Sequence, residues 1–420
     1  MMSEAAANLK ERARILDRDD PLATRADLFD LPRGTLYLDG NSLGPPPLGV
    51  MDRLTRVAGQ EWGVDLITSW NKNGWMGFGS RIGDRIAALI GAAPGSVRAC
   101  DSTSVNLIKV LSGALTLRPE RRVVVSERGN FPTDLYVAQR LLEELGNGYA
   151  LRLIDDAETD LDDALGADVA VVMLTQTDYR TGRKLNMRRV TDAIHGAGAL
   201  ALWDLAHSAG AFEVNLDADG ADFAVGCGYK FLNGGPGAPA FVYAASAHRE
   251  AARPILAGWL GHAAPFDFRS DYEPAPGMDR YVIGTPPVLS MAALETALEA
   301  YDGVDGAMIE AKTSGLGDFF IDCVDALVPE KVGLTLASPR DRARRGAQVS
   351  YRHAEGYAVM QALIARGVIG DFRAPDIVRF GFSPLYLTYA SVLEAAEILA
   401  GILDERTWDR PEYKTRAAVT

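Results

Sequence analysis

Ala199-Leu200-Ala201-Leu202-Trp203-Asp204-Leu205-Ala206-His207 is an unbroken apolar run that ends in a carboxylate and a histidine. Such a run, too short for a core helix and with no polar alternation, fits a strand covered on both faces. In an open α/β sheet ligands gather at the carboxyl ends of the strands, so Asp204 is placed where chemistry belongs, although an Asp at a strand-to-helix junction equally serves as a cap. Working outward, similar segments recur at Val123 to Ser126, Leu151 to Leu153, Val169 to Leu174, Phe223 to Val225 and Ala240 to Tyr243. Helical periodicity lies between them, near Leu135 to Leu145 and Val190 to Gly196. The alternation predicts a mostly parallel α/β sheet between helices.

Before it, a helix is expected around Asn8 to Asp17. Leu36-Tyr37-Leu38-Asp39-Gly40-Asn41-Ser42-Leu43-Gly44 is then a short strand running into a turn that three prolines end. After it, one long helical tract is expected from Pro287 to about Phe320. Strands at Val332 to Ala337, Gln348 to Tyr351 and Ile377 to Phe382 follow, with helices at Gly356 to Arg366 and Ser391 to Leu403. These form a smaller α+β domain. The division expected is an N-terminal arm at 1–50, a large domain at 51–310 and a small domain at 311–420 joined by part of the arm. The Arg340 to Arg345 cluster reads as a solvated loop.

Composition narrows the function. The 420 residues are 48% hydrophobic, enough for a large core, and carry a formal charge of −13, which disfavours nucleic acid and anionic membrane as partners. No apolar run approaches the length of a membrane span and the N-terminus lacks the order of a signal peptide, so a cytoplasmic protein acting on a small molecule is expected. Cys100, Cys227 and Cys323 are too few and too scattered for a disulfide scaffold or zinc site, and the five histidines show no metal-ligand spacing. No metal is expected.

The second chemical segment is Gly228-Tyr229-Lys230-Phe231-Leu232-Asn233-Gly234-Gly235. A lysine beside a glycine-rich loop is ordinarily solvated. Following a strand that follows Asp204, this one has a rigid seat facing the carboxylate. Asp101-Ser102-Thr103-Ser104 opens an amphipathic helix and suits a dianion, though it also serves as a plain N-cap. Phe131-Pro132-Thr133-Asp134 offers a ring to stack on a flat heterocycle and a carboxylate beside it; a core Phe and a turn Asp read equally well. An acid for a ring nitrogen, an amine for a Schiff base and a phosphate seat together point to pyridoxal phosphate.

The chain resembles kynureninase, a pyridoxal-phosphate hydrolase of tryptophan breakdown with the aminotransferase-like type I fold. The likeness rests on Leu38 to Gly44, Phe131 to Asp134, Asp204-Leu205-Ala206-His207, Tyr229-Lys230, Gly258-Trp259-Leu260-Gly261-His262, Pro286-Pro287 and Pro384-Leu385-Tyr386. It implies hydrolysis of L-kynurenine to anthranilate and L-alanine, within the kynurenine pathway that leads toward NAD. Lys230 would hold the cofactor and move the α-proton, with Asp204 at the ring nitrogen, Phe131 stacked and Asp134 near. Thr103, Ser104, Thr175, His207 and Tyr229 resemble further cofactor positions, Tyr229 as an acid/base or a simple phosphate donor. Trp259 and Thr285 match positions brought from a neighbouring subunit, which implies a homodimer with shared sites.

Arg379 resembles the arginine for the substrate carboxylate, and Ser42 would line the same pocket. Trp70 with Thr285, or Trp75 in place of Trp70, would wall the ring pocket and favour kynurenine over 3-hydroxykynurenine. A cysteine desulfurase or an aminotransferase is the alternative within this fold. A nicotinamide enzyme, suggested by Gly235-Pro236-Gly237, is set aside because a strand follows where that motif needs a helix.

Overall fold

The computed structural model describes residues 4–416. A seven-stranded sheet forms its centre, in the spatial order Val97–Ala99, Phe241–Ala244, Phe223–Gly226, Leu200–Asp204, Val169–Thr175, Val123–Glu127 and Ala150–Ile154. Only Phe241–Ala244 runs against the rest. The five inner strands are buried along their whole length because both faces are covered, and successive side chains enter different cores, whereas the edge strand Ala150–Ile154 is buried only at Ile154. Val124, Val171, Leu200 and Leu202 pack beneath the helices Thr103–Thr116 and Pro132–Leu145. Val125, Val172, Ala201 and Trp203 face the opposite core, which continues into the C-terminal domain.

That smaller domain is a four-stranded antiparallel sheet, ordered Asp371–Arg373, Ile377–Gly381, Gln348–Arg352, Thr335–Leu336, backed by the helices Gly306–Leu327, Gly356–Ile364 and Tyr389–Asp404. The N-terminal segment is bound to it. The helix Glu4–Arg18 packs on Tyr389–Asp404, and Asp17 accepts the backbone N–H groups of Tyr389 and Ala390 at 2.7 and 2.9 Å. Lys312 and Asp20 form an ion pair, each side chain only 3% exposed. Leu36–Tyr37 pairs in parallel with Val368–Ile369, and Asp39 bridges to Gly381.

The expected helix from Pro287 to Phe320 is two helices. Val288–Ala297 tightens at Leu298–Tyr301 and ends at Gly303, whose φ of 74° needs no Cβ; Asp305 then caps Gly306–Leu327 by accepting from Met308 N at 2.8 Å. The strand expected at Val332 to Ala337 shortens to Thr335–Leu336. The arginine cluster is not wholly solvated: Arg345 is buried and paired with Asp318, and only its neighbours face solvent. Among the described residues no helix is long and apolar enough to cross a membrane.

Candidate active site

Thr175 and Asp204 end adjacent parallel strands and lie in register, so both side chains emerge at the carboxyl edge. Asp204 is buried, and its Oδ1 accepts the N–H of Ala206 at 2.7 Å. Asp134, on the first turn of Pro132–Leu145, faces Asp204 closely enough to feel its charge, and its Oδ2 lies 3.4 Å from Thr175 Oγ1. Two carboxyl groups buried together cannot both ionise cheaply. Burial, then the Asp204 charge, drives Asp134 well above the usual carboxylate range; burial raises Asp204 too, but the Ala206 N–H and the Lys230 charge oppose the rise there. Asp134 therefore holds the proton and donates it to Asp204.

Asn130 pins this corner. Its Oδ1 accepts from Phe131 N at 2.7 Å and from Thr175 Oγ1, and its Nδ2 donates to Ser126 Oγ at 3.1 Å. Phe131 is thereby fixed at the start of its helix, 39% exposed, with its ring edge-on to Tyr179. No motif singled out Asn130, although an Asn just before Phe-Pro was a turn signal.

The lysine's backbone sits tightly against the N-terminal turn. Gly44 N donates to Tyr229 O at 2.8 Å, and a Cβ on Gly44 would stand 2.2 Å from Lys230 O, so only glycine lets the N-terminal turn lie against the lysine backbone. Lys230 Nζ is 3.2 Å from His207 Nε2 and 6.0 Å from the centroid of Phe131. Among the described residues no carboxylate pairs with it. Burial lowers the lysine's pKa despite the Asp204 charge, and burial, then the lysine charge, holds His207 neutral. Burial likewise keeps Tyr229 a phenol.

Thr103 and Ser104 open the helix Thr103–Thr116, which Ser102 caps at the same edge of the sheet. Its amide end points its positive pole there. At the other side Arg379, Ser42 and Asp371 meet: Arg379 Nε donates to Asp371 Oδ1 at 2.7 Å, Nη2 donates to Asp371 Oδ2 and to Ser42 Oγ at 2.9 Å, and Nη1 donates to Tyr179 O at 2.5 Å. The fork foreseen for a substrate carboxylate thus already grips Asp371.

Trp259 is 43% exposed and edge-on to Phe266, and Thr285 lines a cleft of about 470 Å³ with Asp101, Arg98 and His262. Trp70 stands edge-on to Trp75, whose Nε1 donates to Glu61 at 2.8 Å; Trp75, not Trp70, lines a cleft with Pro286 and Pro287.

A family profile described as the kynureninase C-terminal domain matches residues 309–399. A kynureninase of Burkholderia pseudomallei (strain 1106a) is 51% identical over 415 residues, 98% of this chain and 99% of the relative. The chain belongs to the kynureninase family. A kynureninase of Pseudomonas fluorescens is 49% identical over 96% of the chain and 98% of its own length. Membership brings kynurenine cleavage and pyridoxal phosphate with it. Solved structures extend the fold: a cystine C–S lyase, C-DES, as a mutant with glycine covalently linked to its PLP cofactor, superposes with a TM-score of 0.74 at 17% identity over 88% of this chain and 97% of its own. The cysteine desulfurase CsdA of Escherichia coli gives 0.73 at 19%, over 91% and 98%. The type I pyridoxal-phosphate fold is therefore shared beyond the kynureninases.

The residues present fit that cofactor. A buried amine without a counter-ion is costly, and a covalent bond to an aldehyde removes the need for one. Lys230 would make that bond, Asp204 would face the ring nitrogen, Phe131 would cover the ring and the start of Thr103–Thr116 would take the phosphate.

Proposed function

We infer that this kynureninase cleaves L-kynurenine between Cβ and Cγ to anthranilate and L-alanine through the residues just described. The observation that carries their assignment is the buried Lys230 amine, without a carboxylate partner among the described residues, beside neutral His207 at the edge where Asp204 emerges. When bound, pyridoxal phosphate supplies the electron sink for charge generated on the substrate's α and β carbons. Lys230 Nζ, its basicity reduced by burial, takes and returns the α-proton at neutral pH. Asp204 holds the proton of the ring nitrogen, with Asp134 fixing its carboxylate. Tyr229, kept protonated, donates from its phenol oxygen, and the Arg379–Ser42 end binds the α-carboxylate.

Trp259, which is 43% exposed, and Thr285, in the cleft beside Asp101, complete the site of a second copy in a homodimer. Few polar partners then meet the substrate ring, which favours kynurenine over 3-hydroxykynurenine; Trp75 is the aromatic wall because it adjoins Pro286 and Pro287. We further place the protein in the cytoplasm and divide it at residues 50 and 310. Desulfurase chemistry has no carrier here: Cys323 is buried in Gly306–Leu327 with its thiol pushed up to about 12 by burial, and Cys100 and Cys227 are also buried. The test is anthranilate fluorescence from holoprotein given kynurenine, with Lys230→Ala as control. Turnover that survives this substitution, or faster turnover of the hydroxylated substrate, refutes the corresponding assignment.

A further inference from the structure

The substrate-carboxylate end holds more positive charge than Arg379 alone supplies. A guanidinium has five N–H groups, and Arg379 commits four of them to Asp371, Ser42 and Tyr179. One Nη1 hydrogen is left, too little for the two parallel bonds by which an arginine grips a carboxylate. Arg373 lies on the adjoining strand, where Asp371 pairs with Arg379. Its Nη2 reaches Asp371 Oδ2 at 2.7 Å and Ser42 Oγ at 3.3 Å, and its Nη1 donates to Phe372 O at 3.1 Å. Its Nε has no hydrogen-bond partner among the described residues, and its side chain is 33% exposed where that of Arg379 is 1%.

Asp371 is thus one carboxylate between two guanidiniums. The other nearby acid does not balance them, because burial, then the Asp371 charge, keeps the proton on Asp39. One positive charge is left over, close enough that both arginines depress Lys230 and His207. Burial and the like charge of Arg379 both oppose the charge on Arg373, a cost that an incoming anion relieves.

We propose that Arg373 is a substrate-binding residue, taking the α-carboxylate of kynurenine jointly with Arg379 across Ser42 and presenting the accessible half of that grip. This rests on reading the Arg379–Ser42 end as the carboxylate site. The test uses holoenzyme carrying Arg373→Gln, Arg373→Lys or Arg379→Gln, with kynurenine as substrate and its analogue lacking the α-carboxylate as a competitive inhibitor. In Arg373→Gln, KM should rise about 10- to 100-fold, the range for losing a charge-assisted hydrogen bond, with kcat within about threefold. The analogue's inhibition constant and the cofactor absorbance should stay as in the parent. Arg373→Lys, which keeps the charge and loses the fork, should raise KM about 3- to 10-fold, and it decides the matter if Arg373→Gln does not fold. An unchanged KM, or equal weakening of substrate and analogue, overturns the proposal. If Arg379→Gln alone raises KM selectively, Arg373 is excluded and the site stands. If neither arginine matters, the site itself is misplaced.

Discussion

Replacing Asp134 by alanine removes the proton donor that faces Asp204. Asp134 is 1% exposed and carries the pair's proton, so its loss deletes one hydrogen bond to an ionised, buried acceptor. Such a bond is worth about 1.5–3 kcal/mol. If Asp204 acts on the cofactor ring with that support, kcat/KM should fall roughly 10- to 150-fold, at about 1.4 kcal/mol per decade. Asp134→Asn is the sharper probe, because the amide donates the same bond at nearly the same volume and carries no charge; it should stay within about threefold of the parent. The assay is anthranilate fluorescence under subsaturating kynurenine, with thermal melts of the cofactor-free protein to separate catalysis from folding. An Asn variant as damaged as the Ala variant would mean that Asp134 works as an anion, and the shared-proton account would be wrong.

Asp39 should make substrate binding depend on pH. Its carboxyl is raised to about 8, chiefly by burial, among Asp371, Arg379, Ser42 and Arg373, with Tyr37 and Tyr386 also close. As pH rises through that value it ionises, the excess positive charge disappears and KM should climb; Asp39→Asn should flatten KM from about pH 7 to about pH 9. The same raised acid stabilises the fold fully below its unfolded pKa, and that stability is lost as pH rises through about 8. Urea titrations of the parent should therefore show a downward slope that Asn removes, and a parallel slope in both proteins would contradict it. Lys312→Ala should cost about 3–5 kcal/mol by stranding buried Asp20, and Lys312→Met much less; equal midpoints for the two would count against an uncompensated charge. Mixing refolded Lys230→Ala and Trp259→Ala chains should restore roughly a quarter of parental turnover if sites are shared across a two-fold axis. Additive residual activity alone would argue for self-contained sites.

The sheet was legible because strands covered on both faces leave continuous apolar runs, as at Val169–Thr175 and Leu200–Asp204. The order of short motifs was enough to expect Lys230 near Phe131 and Asp204 at the carboxyl edge of the sheet. The break after Ala297 was missed because apolar spacing continues on both sides of it, although Asp302-Gly303-Val304-Asp305 carried the turn signal. Arg373, Asp371 and Asp39 were illegible for another reason. They are ordinary charged residues, and Ser42 and Arg379, which join them, stand 337 positions apart. Only folding makes them neighbours. Asn130 lies in between: its turn was readable, but its hold on Thr175 arises across strands.

The turn at Gly44 that presses on the lysine backbone belongs to a segment whose own strand partner, Val368–Ile369, emerges from the ribosome more than three hundred residues later. At about 5–20 residues per second, the nascent chain waits tens of seconds with that half of the lysine's seat unmade. If cofactor capture at Lys230 needs that half of the seat, translation products truncated before Val368–Ile369 should emerge colourless.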